Sequence, residues 1–151
     1  MTVLENAVTG ALFGSDESIS QEEAEGRGRE TLAFVGLEDK AEMEARNLPI
    51  AQQKQLELAR TVASDPDLVL LDEIASGLTP GEIEELSNTI RRLRDDRDVS
   101  VFWIEHIMDA IMGTADRIIV LKSGRKIAEG TPEEIRNDQT VTEAYLGADE
   151  S

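Results

Sequence analysis

One stretch constrains the fold of this chain more than any other: LVLLDEIASG, residues 68–77, in which an aliphatic run ends at two adjacent carboxylates, Asp72 and Glu73. A short, continuous apolar run is typical of a strand that is buried on both faces of a parallel α/β sheet. Ligands bind at the carboxyl ends of such strands. The two acids therefore predict a binding edge, although many strands end in acids merely because the chain then enters solvent.

The sequence that follows predicts a helix and a second strand. Residues 79–96 begin with a capping box, Thr79 with Glu82, around Pro80, and their apolar residues recur every three or four positions. The apolar stretch VSVFWI in residues 99–104 then predicts a strand. A strand, a helix and a strand in this order form a βαβ unit, so the two strands are expected to run parallel.

The chain is predicted to have two parts. Residues 1–65 are polar, show no strand alternation and contain a capping box at Ser20 and Glu23, so we expect a helical subdomain there. Residues 66–151 contain all the strand patterns, including a hairpin that turns at 123–125. The predicted fold class is α/β, with a parallel sheet core preceded by helices and with no internal repeat.

Composition excludes several classes of function. The chain has 32 acidic and 15 basic residues and a net charge of -17, and so acidic a surface repels nucleic acid and anionic lipid headgroups. We expect no nucleic-acid binding and no direct membrane insertion. No cysteine is present, which excludes disulfides and thiolate zinc sites, and no signal peptide is recognised, so the protein is predicted to be cytoplasmic. The distributed acid also suggests a salt-loving source.

Three segments together resemble the ATP-binding subunits of ABC transporters. NLPIAQQKQLELAR, LVLLDEIASGLTP and VFWIEH resemble, in order and spacing, the signature segment, the Walker B strand with its D-loop, and the switch-histidine segment of that family. The LPxxQQ form and the closing VTEAYLG are most similar to the branched-chain amino-acid importers. The resemblance implies a P-loop NTPase-like (RecA-like) core that is incomplete, because no Gly-x-x-x-x-Gly-Lys-Ser/Thr phosphate loop occurs and the Q-loop would precede Met1.

Roles for three residues follow from the resemblance. It implies that Asp72 holds Mg²⁺, that Glu73 polarises the attacking water, and that His106 contacts the γ-phosphate of ATP. Carboxylates suit the first two roles, as a hard oxygen ligand and as a proton acceptor. For His106, the only histidine, the alternative is a residue at a helix start that packs against Trp103.

Two further segments are implied to bind nucleotide across a dimer interface. The D-loop includes Ser76 and Gly77, and Ile74 follows the acidic pair where the family usually has proline. The signature segment consists of Leu48, Pro49, Ile50, Ala51 and Gln52. Ala51 stands where the subgroup has a glycine, and in the family small residues there let backbone N–H groups approach a phosphate.

The function implied by the resemblance is that of part of an ATP-binding subunit of an importer, with ATP and Mg²⁺ as cofactors. Its implied partners are membrane permease subunits and a second ATP-binding subunit, at the cytoplasmic face of the cell membrane. Without a phosphate loop the isolated chain is predicted not to hydrolyse ATP, and a gap in its sheet is expected to make it marginally stable and prone to associate. Two alternatives remain: a non-catalytic interaction module, and one half of a split ATPase.

Overall fold

The structure, a computed structural model, describes residues 1–14 and 18–146. These residues fall into two units, Met1–His106 and Ile107–Ser151, and each unit has its own two-stranded sheet. The sequence analysis divides the chain after residue 65, where strand patterns first appear, and not after His106. That predicted boundary between a helical subdomain and an α/β core stays a prediction. Gly147, the last residue of the VTEAYLG stretch, lies outside the described residues. Within the described part, no helix has the length and apolar character needed to span a membrane.

The first unit contains four helices and a pair of strands. In chain order these are α1 (Val3–Phe13), α2 (Gln21–Phe34), α3 (Ile50–Val62), β1 (Leu68–Asp72), α4 (Pro80–Arg97) and β2 (Ser100–Ile104). Two short 3₁₀ turns, Glu38–Lys40 and Ala45–Asn47, join α2 to α3. Among the described residues before β1, the helices named above and the two 3₁₀ turns are the regular elements, and a helical subdomain over residues 1–65 stays a prediction.

The second unit is built around a hairpin. Its elements are α5 (Met108–Met112), β3 (Ile118–Lys122), β4 (Arg125–Gly130), α6 (Pro132–Arg136) and α7 (Gln139–Val141), followed by a π-helical segment, Thr142–Leu146. Ser123 and Gly124 form the two-residue loop with positive φ angles of 50° and 75°, as a type I′ turn requires. The hairpin predicted at this position is confirmed.

Helices α1, α2 and α3 pack closely because their contact positions carry small residues. A Cβ atom at Gly10 would lie 2.1 Å from the carbonyl oxygen of Arg60, so α1 and α3 approach each other at this glycine. Gly28 of α2 meets Val8 in the same manner, with the nearest Val8 atom 3.1 Å from the position of a Cβ. The buried side chains around these contacts include Val3, Ala7, Leu32, Leu58 and Ala59.

Side chains that cap the helices fix where several of them begin. Complete capping boxes occur at Thr2 with Glu5, Thr79 with Glu82, and Thr131 with Glu134. At α2 the hydroxyl of Ser20 accepts the N–H of Glu23 at 3.1 Å. The starts predicted for α2 and α4 are therefore confirmed, each with a side-chain acceptor for a backbone N–H that the helix itself leaves unpaired.

Strands β1 and β2 pair in parallel, with Leu68 opposite Ser100 and Asp72 opposite Ile104. This pairing confirms the predicted βαβ unit. The prediction that β1 is buried on both faces is wrong: Val69 is 1% exposed but Leu70 is 70% exposed. The described residues of this unit cover only one face of the sheet, which is why alternate side chains stay in solvent. The open face of this sheet consists of Leu68, Leu70, Phe102 and Ile104.

Candidate functional site

The candidate site lies at the carboxyl ends of β1 and β2. Because these strands are parallel and in register through the pair Asp72 and Ile104, the residues that follow each strand emerge at the same edge. The N–H of Glu73 donates to the carbonyl oxygen of Ile104 at 2.9 Å, which extends the pairing by one residue. Parallel pairing thus brings the acidic pair next to the segment that carries His106.

Glu73 and His106 form a carboxylate–imidazole pair. The Nδ1 atom of His106 lies 3.4 Å from Oε1 of Glu73, and the two side chains are 62% and 59% exposed. Asp72 is also exposed at this edge. An imidazole so open to solvent is not held mainly by packing, which argues against the alternative of a helix-start histidine packed against Trp103. The structure therefore brings together the three residues for which catalytic or metal-binding roles are predicted.

The chain turns sharply after Glu73. Glu73 itself has φ 47°, a left-handed conformation that few non-glycine residues adopt, and Gly77 has φ 80°. The N–H of Ser76 donates to the carbonyl oxygen of Glu73 at 3.1 Å, which closes the turn. Buried Ile74 and Ala75 anchor it, whereas Ser76 and Gly77 are exposed. The exposed pair is accessible to a partner, and its role as a D-loop stays a prediction.

Glu105 is a member of this site that sequence reasoning did not single out. Its side chain is completely buried, and its two carboxylate oxygens accept the N–H of Ala75 at 2.8 Å and the N–H of His106 at 3.1 Å. Its Oε2 atom also lies 3.7 Å from Nδ1 of His106. The available signal was an acid between an apolar strand and the only histidine, but such a residue is usually a solvated strand end.

The predicted signature segment forms the start of α3. Leu48 is buried, Pro49 is the N-cap residue, and α3 begins at Ile50, whose side chain is 60% exposed. No side chain caps this N-terminus, and within the described residues no hydrogen bond or ion pair joins the segment to Asp72, Glu73 or His106.

Ala51 lies inside α3 and has no positive φ, so the methyl group at this position strains no left-handed backbone. The side-chain Oε1 atom of Gln52 is buried without a hydrogen-bond partner. Gln53, the next residue, donates from Nε2 to the carbonyl oxygen of Leu48 at 2.7 Å and so fixes the segment that precedes the helix. A nucleotide-binding role of the segment stays a prediction.

The donor set at the strand ends fits a particular kind of metal ion. Within residues 1–14 and 18–146, no group of three or more His, Asp or Glu side chains could enclose an ion. Mg²⁺ commonly binds through one or two carboxylates together with substrate phosphates rather than in a cage of protein ligands. The exposed carboxylate of Asp72, with Glu73 beside it, matches that pattern.

Comparisons with known proteins agree with the motifs. A family model described as "Branched-chain amino acid ATP-binding cassette transporter" matches residues 125–151. The high-affinity branched-chain amino acid transport ATP-binding protein LivG of Escherichia coli is 40% identical in an alignment of 159 positions, gaps included, which covers 97% of this chain and 62% of LivG. LivG of Salmonella typhimurium is 43% identical over 128 residues, which cover 85% of this chain and 50% of that protein. The chain thus spans between half and about three-fifths of these relatives.

A solved structure gives the same result for the fold. The crystal structure of an ATP-binding cassette of an ABC transporter in its ADP conformation superposes with a TM-score of 0.83 and 27% sequence identity. The superposition covers 97% of this chain and 63% of the solved chain, so the fold is a partial P-loop NTPase-like α/β fold. Sequence identity and fold coincide: the chain is similar to part of the ATP-binding subunits of ABC transporters, and the curated relatives named above are branched-chain amino acid transport ATP-binding proteins.

Proposed function

We propose that this chain supplies the hydrolytic side of the nucleotide site in an ABC importer for branched-chain amino acids. The observation that carries the proposal is the pairing of Glu73 with His106 at the edge where Asp72 ends β1. The 40% and 43% identity to LivG proteins supports the substrate class. ATP with Mg²⁺ would supply the phosphoryl group and its charge-neutralising cation.

Each of the three residues has a chemical task in this proposal. Asp72 presents a hard carboxylate oxygen that holds Mg²⁺ jointly with phosphate oxygens. Glu73 orients a water molecule and accepts its proton, as a carboxylate within reach of that water can. His106 directs Nδ1 at Glu73 and contacts a phosphate oxygen through Nε2, which must carry a proton to donate to that oxygen.

Phosphate binding must come from a segment outside this sequence, because residues 1–151 contain no phosphate loop. The open face supports that requirement. Leu68, Leu70, Phe102 and Ile104 are between 52% and 70% exposed, and contiguous apolar surface of this kind marks a site of burial. We infer that a polypeptide carrying the phosphate loop covers this face and completes the nucleotide site at the adjacent edge.

The proposed partners are those of an importer: permease subunits at the cytoplasmic face of the membrane, and a second ATP-binding subunit. Ile50 at the exposed start of α3 and the exposed turn at Ser76 and Gly77 are the surfaces that the second subunit would use. A helix N-terminus without a side-chain cap is suited to an anionic group supplied by that partner.

Uptake of leucine by cells that lack their own LivG-type subunit tests the proposal. The chain is expressed with a polypeptide that carries the phosphate loop and Q-loop of a LivG relative, and labelled leucine is followed. We expect uptake that disappears in Glu73→Gln and persists in Glu84→Gln, a matched change at an exposed helix glutamate. Assembly without uptake of any branched-chain amino acid would instead favour a non-catalytic interaction module.

A further inference from the structure

Glu105 is a glutamate whose side chain is fully buried at the end of a partly exposed strand. Its side chain is 0% exposed, whereas the side chain of the neighbouring His106 is 62% exposed. Burying a carboxylate is costly unless its oxygens accept hydrogen bonds. Here both oxygens do so, and both donors are backbone N–H groups. The free-energy cost of burying the Glu105 carboxylate is therefore offset by the hydrogen bonds from the N–H groups of Ala75 and His106.

Those two hydrogen bonds connect different parts of the site. Oε1 accepts from Ala75, two residues after Glu73 in the turn that follows β1, and Oε2 accepts from His106, in the segment that follows β2. Ala75 and Glu105 are 30 residues apart in the chain. The carboxylate thus joins the loop that carries Glu73 to the loop that carries His106.

The same carboxylate also faces the imidazole. Nδ1 of His106 lies 3.4 Å from Glu73 and 3.7 Å from Glu105, so two acceptors lie on one side of the ring. A neutral imidazole has one N–H, and the nitrogen that faces carboxylates is the one that carries it. Neutral His106 is then the Nδ1–H tautomer with Nε2 unprotonated, so Nε2 donates to a phosphate oxygen only when the ring carries a second proton.

We propose that Glu105 is a positioning residue that holds Glu73 and His106 together and selects the tautomer of His106. It acts through these two residues and through the N–H of Ala75. The catalytic meaning of this arrangement rests on the function proposed above, but the arrangement itself belongs to the chain in the absence of nucleotide. It can therefore be tested without ATP.

Nitrogen-15 NMR of the full 151-residue chain provides the test, because His106 is the only histidine and gives a single imidazole signal set. At a pH where the ring is neutral, we expect wild-type His106 to show a protonated Nδ1 and an unprotonated Nε2. In Glu105→Ala the tautomer ratio should move toward the Nε2–H form by less than the roughly tenfold of a hydrogen bond to a charged group, because Glu105 lies 3.7 Å from Nδ1 and Glu73, at 3.4 Å, stays in place. The exchange protection of the Ala75 amide should disappear in the same variant.

Two further variants separate positioning from general stability. Glu105→Gln keeps an oxygen for the N–H of Ala75, so that amide should stay protected while the tautomer ratio moves part of the way. Glu84→Ala, which removes an exposed glutamate from α4, should change neither signal. If Glu105→Ala fails to fold, as shown by loss of amide protection in α3 and α4, the wild type and Glu105→Gln decide between the outcomes.

The proposal is overturned if wild-type His106 is the Nε2–H tautomer, or if folded Glu105→Ala keeps both the wild-type tautomer and a protected Ala75 amide. It is likewise overturned if Glu105→Gln loses the protection of Ala75 while its overall fold is intact. A negative leucine-uptake result with the Nδ1–H tautomer present would refute the proposed function and leave the positioning role standing.

Discussion

Glu73 is the residue at which structure and proposed chemistry are most closely linked. Its φ of 47° places an L-residue in the left-handed region, directly after a strand, and its carboxylate faces His106. Of the other non-glycine residues described with positive φ, Asp65 follows the end of α3, Asp98 caps the end of α4 and Ser123 lies in the hairpin turn; such angles are common at helix ends and in hairpin turns. At Glu73 the positive φ lies at the start of the turn that the N–H of Ser76 closes, in a residue whose carboxylate faces His106. Strained backbone of this kind clusters at functional sites.

Replacing Glu73 tests that strain. A glycine adopts positive φ without a steric penalty, whereas alanine retains the penalty of a Cβ atom. We expect Glu73→Gly to be more stable than Glu73→Ala by about 0.5–1 kcal/mol, because relief of roughly 1–2 kcal/mol of strain is partly offset by the greater freedom of unfolded glycine. Urea denaturation of the two variants measures the difference. An alanine variant as stable as the glycine variant would show that the backbone is unstrained.

At the residue scale, the sequence indicated part of the site. An apolar run that ends in two acids predicted Asp72 and Glu73 at a sheet edge, and the only histidine after the second strand predicted His106. The 3.4 Å contact between Glu73 and His106 could be expected only from the parallel register of the strands. The burial of Glu105 could not, because it depends on hydrogen bonds to a turn 30 residues earlier in the chain.

At the scale of elements, the helical layer depends on close approach of its helices. Gly10 faces the backbone of Arg60, so any larger residue there must push α1 away from α3. Gly26 of α2, in contrast, has nothing within 4 Å of the position that a Cβ would occupy. The two glycines therefore differ in packing while both interrupt helices with the residue least suited to a helix interior apart from proline.

Alanine substitutions at these glycines should have effects of opposite sign. Gly10→Ala should lower the free energy of unfolding by about 2 kcal/mol through overpacking. Gly26→Ala should raise it by about 0.5–1 kcal/mol, because alanine favours the helix and nothing obstructs it. Chemical denaturation followed by circular dichroism measures both. Equal stabilisation by the two changes would mean that α1 and α3 are not in close contact at Gly10.

The cap of α4 should respond to acid. Hydrogen bonds from the backbone N–H and then the hydroxyl of Thr79 hold the pKa of the Glu82 carboxyl below its usual 4.5. A lowered pKa in the folded state means that the stabilisation is fully present above the unfolded value and is lost as pH falls through the folded value. We expect wild-type stability to fall below pH 4.5 more steeply than that of Glu82→Gln, which does not titrate. Parallel curves of the urea midpoint against pH would contradict this.

Helix starts could be predicted from the sequence but strand burial could not. Helix starts depend on residues that are close in the chain, whereas burial depends on segments that are distant in it. The caps and apolar periodicity of α4 are local, and the helix begins one residue after Thr79 as expected. The cap of α1, Thr2 with Glu5, follows the same local pattern but was not singled out. Burial of both faces of β1 was predicted wrongly, because burial depends on the layers that cover a sheet and not on the strand alone.

At the scale of the whole molecule, two opposing forces act on this chain. Its net charge of -17 keeps copies apart, and its open face, with Leu70 70% and Phe102 54% exposed, favours association. Added salt screens the repulsion and leaves the apolar attraction in place. The balance between the two is therefore set by ionic strength.

Salt should accordingly promote self-association of the isolated chain. Sedimentation velocity should show monomer at low ionic strength and larger species as salt is raised. The double variant Leu70→Lys with Phe102→Lys should stay monomeric at the same salt concentrations. Phe13→Lys, which changes an equally apolar side chain that is 80% exposed on α1, should associate as the wild type does. Association that persists in the double variant would place the contact elsewhere.

The central claim is that this chain supplies the hydrolytic side of a nucleotide site. ATP hydrolysis by the chain with and without a phosphate-loop polypeptide tests this claim most directly. Alone, the chain should release no phosphate from ATP with Mg²⁺, because Asp72, Glu73 and His106 form only the hydrolytic side of a site. Mixed with a polypeptide that carries the phosphate loop and Q-loop of a LivG relative, it should gain a steady rate that Glu73→Gln lowers at least about a hundredfold, the scale of general base catalysis. Ala51→Gly should raise the rate in the mixture. Hydrolysis by the isolated chain that Glu73→Gln abolishes, or a stable mixture whose hydrolysis is unaffected by Glu73→Gln, would contradict it.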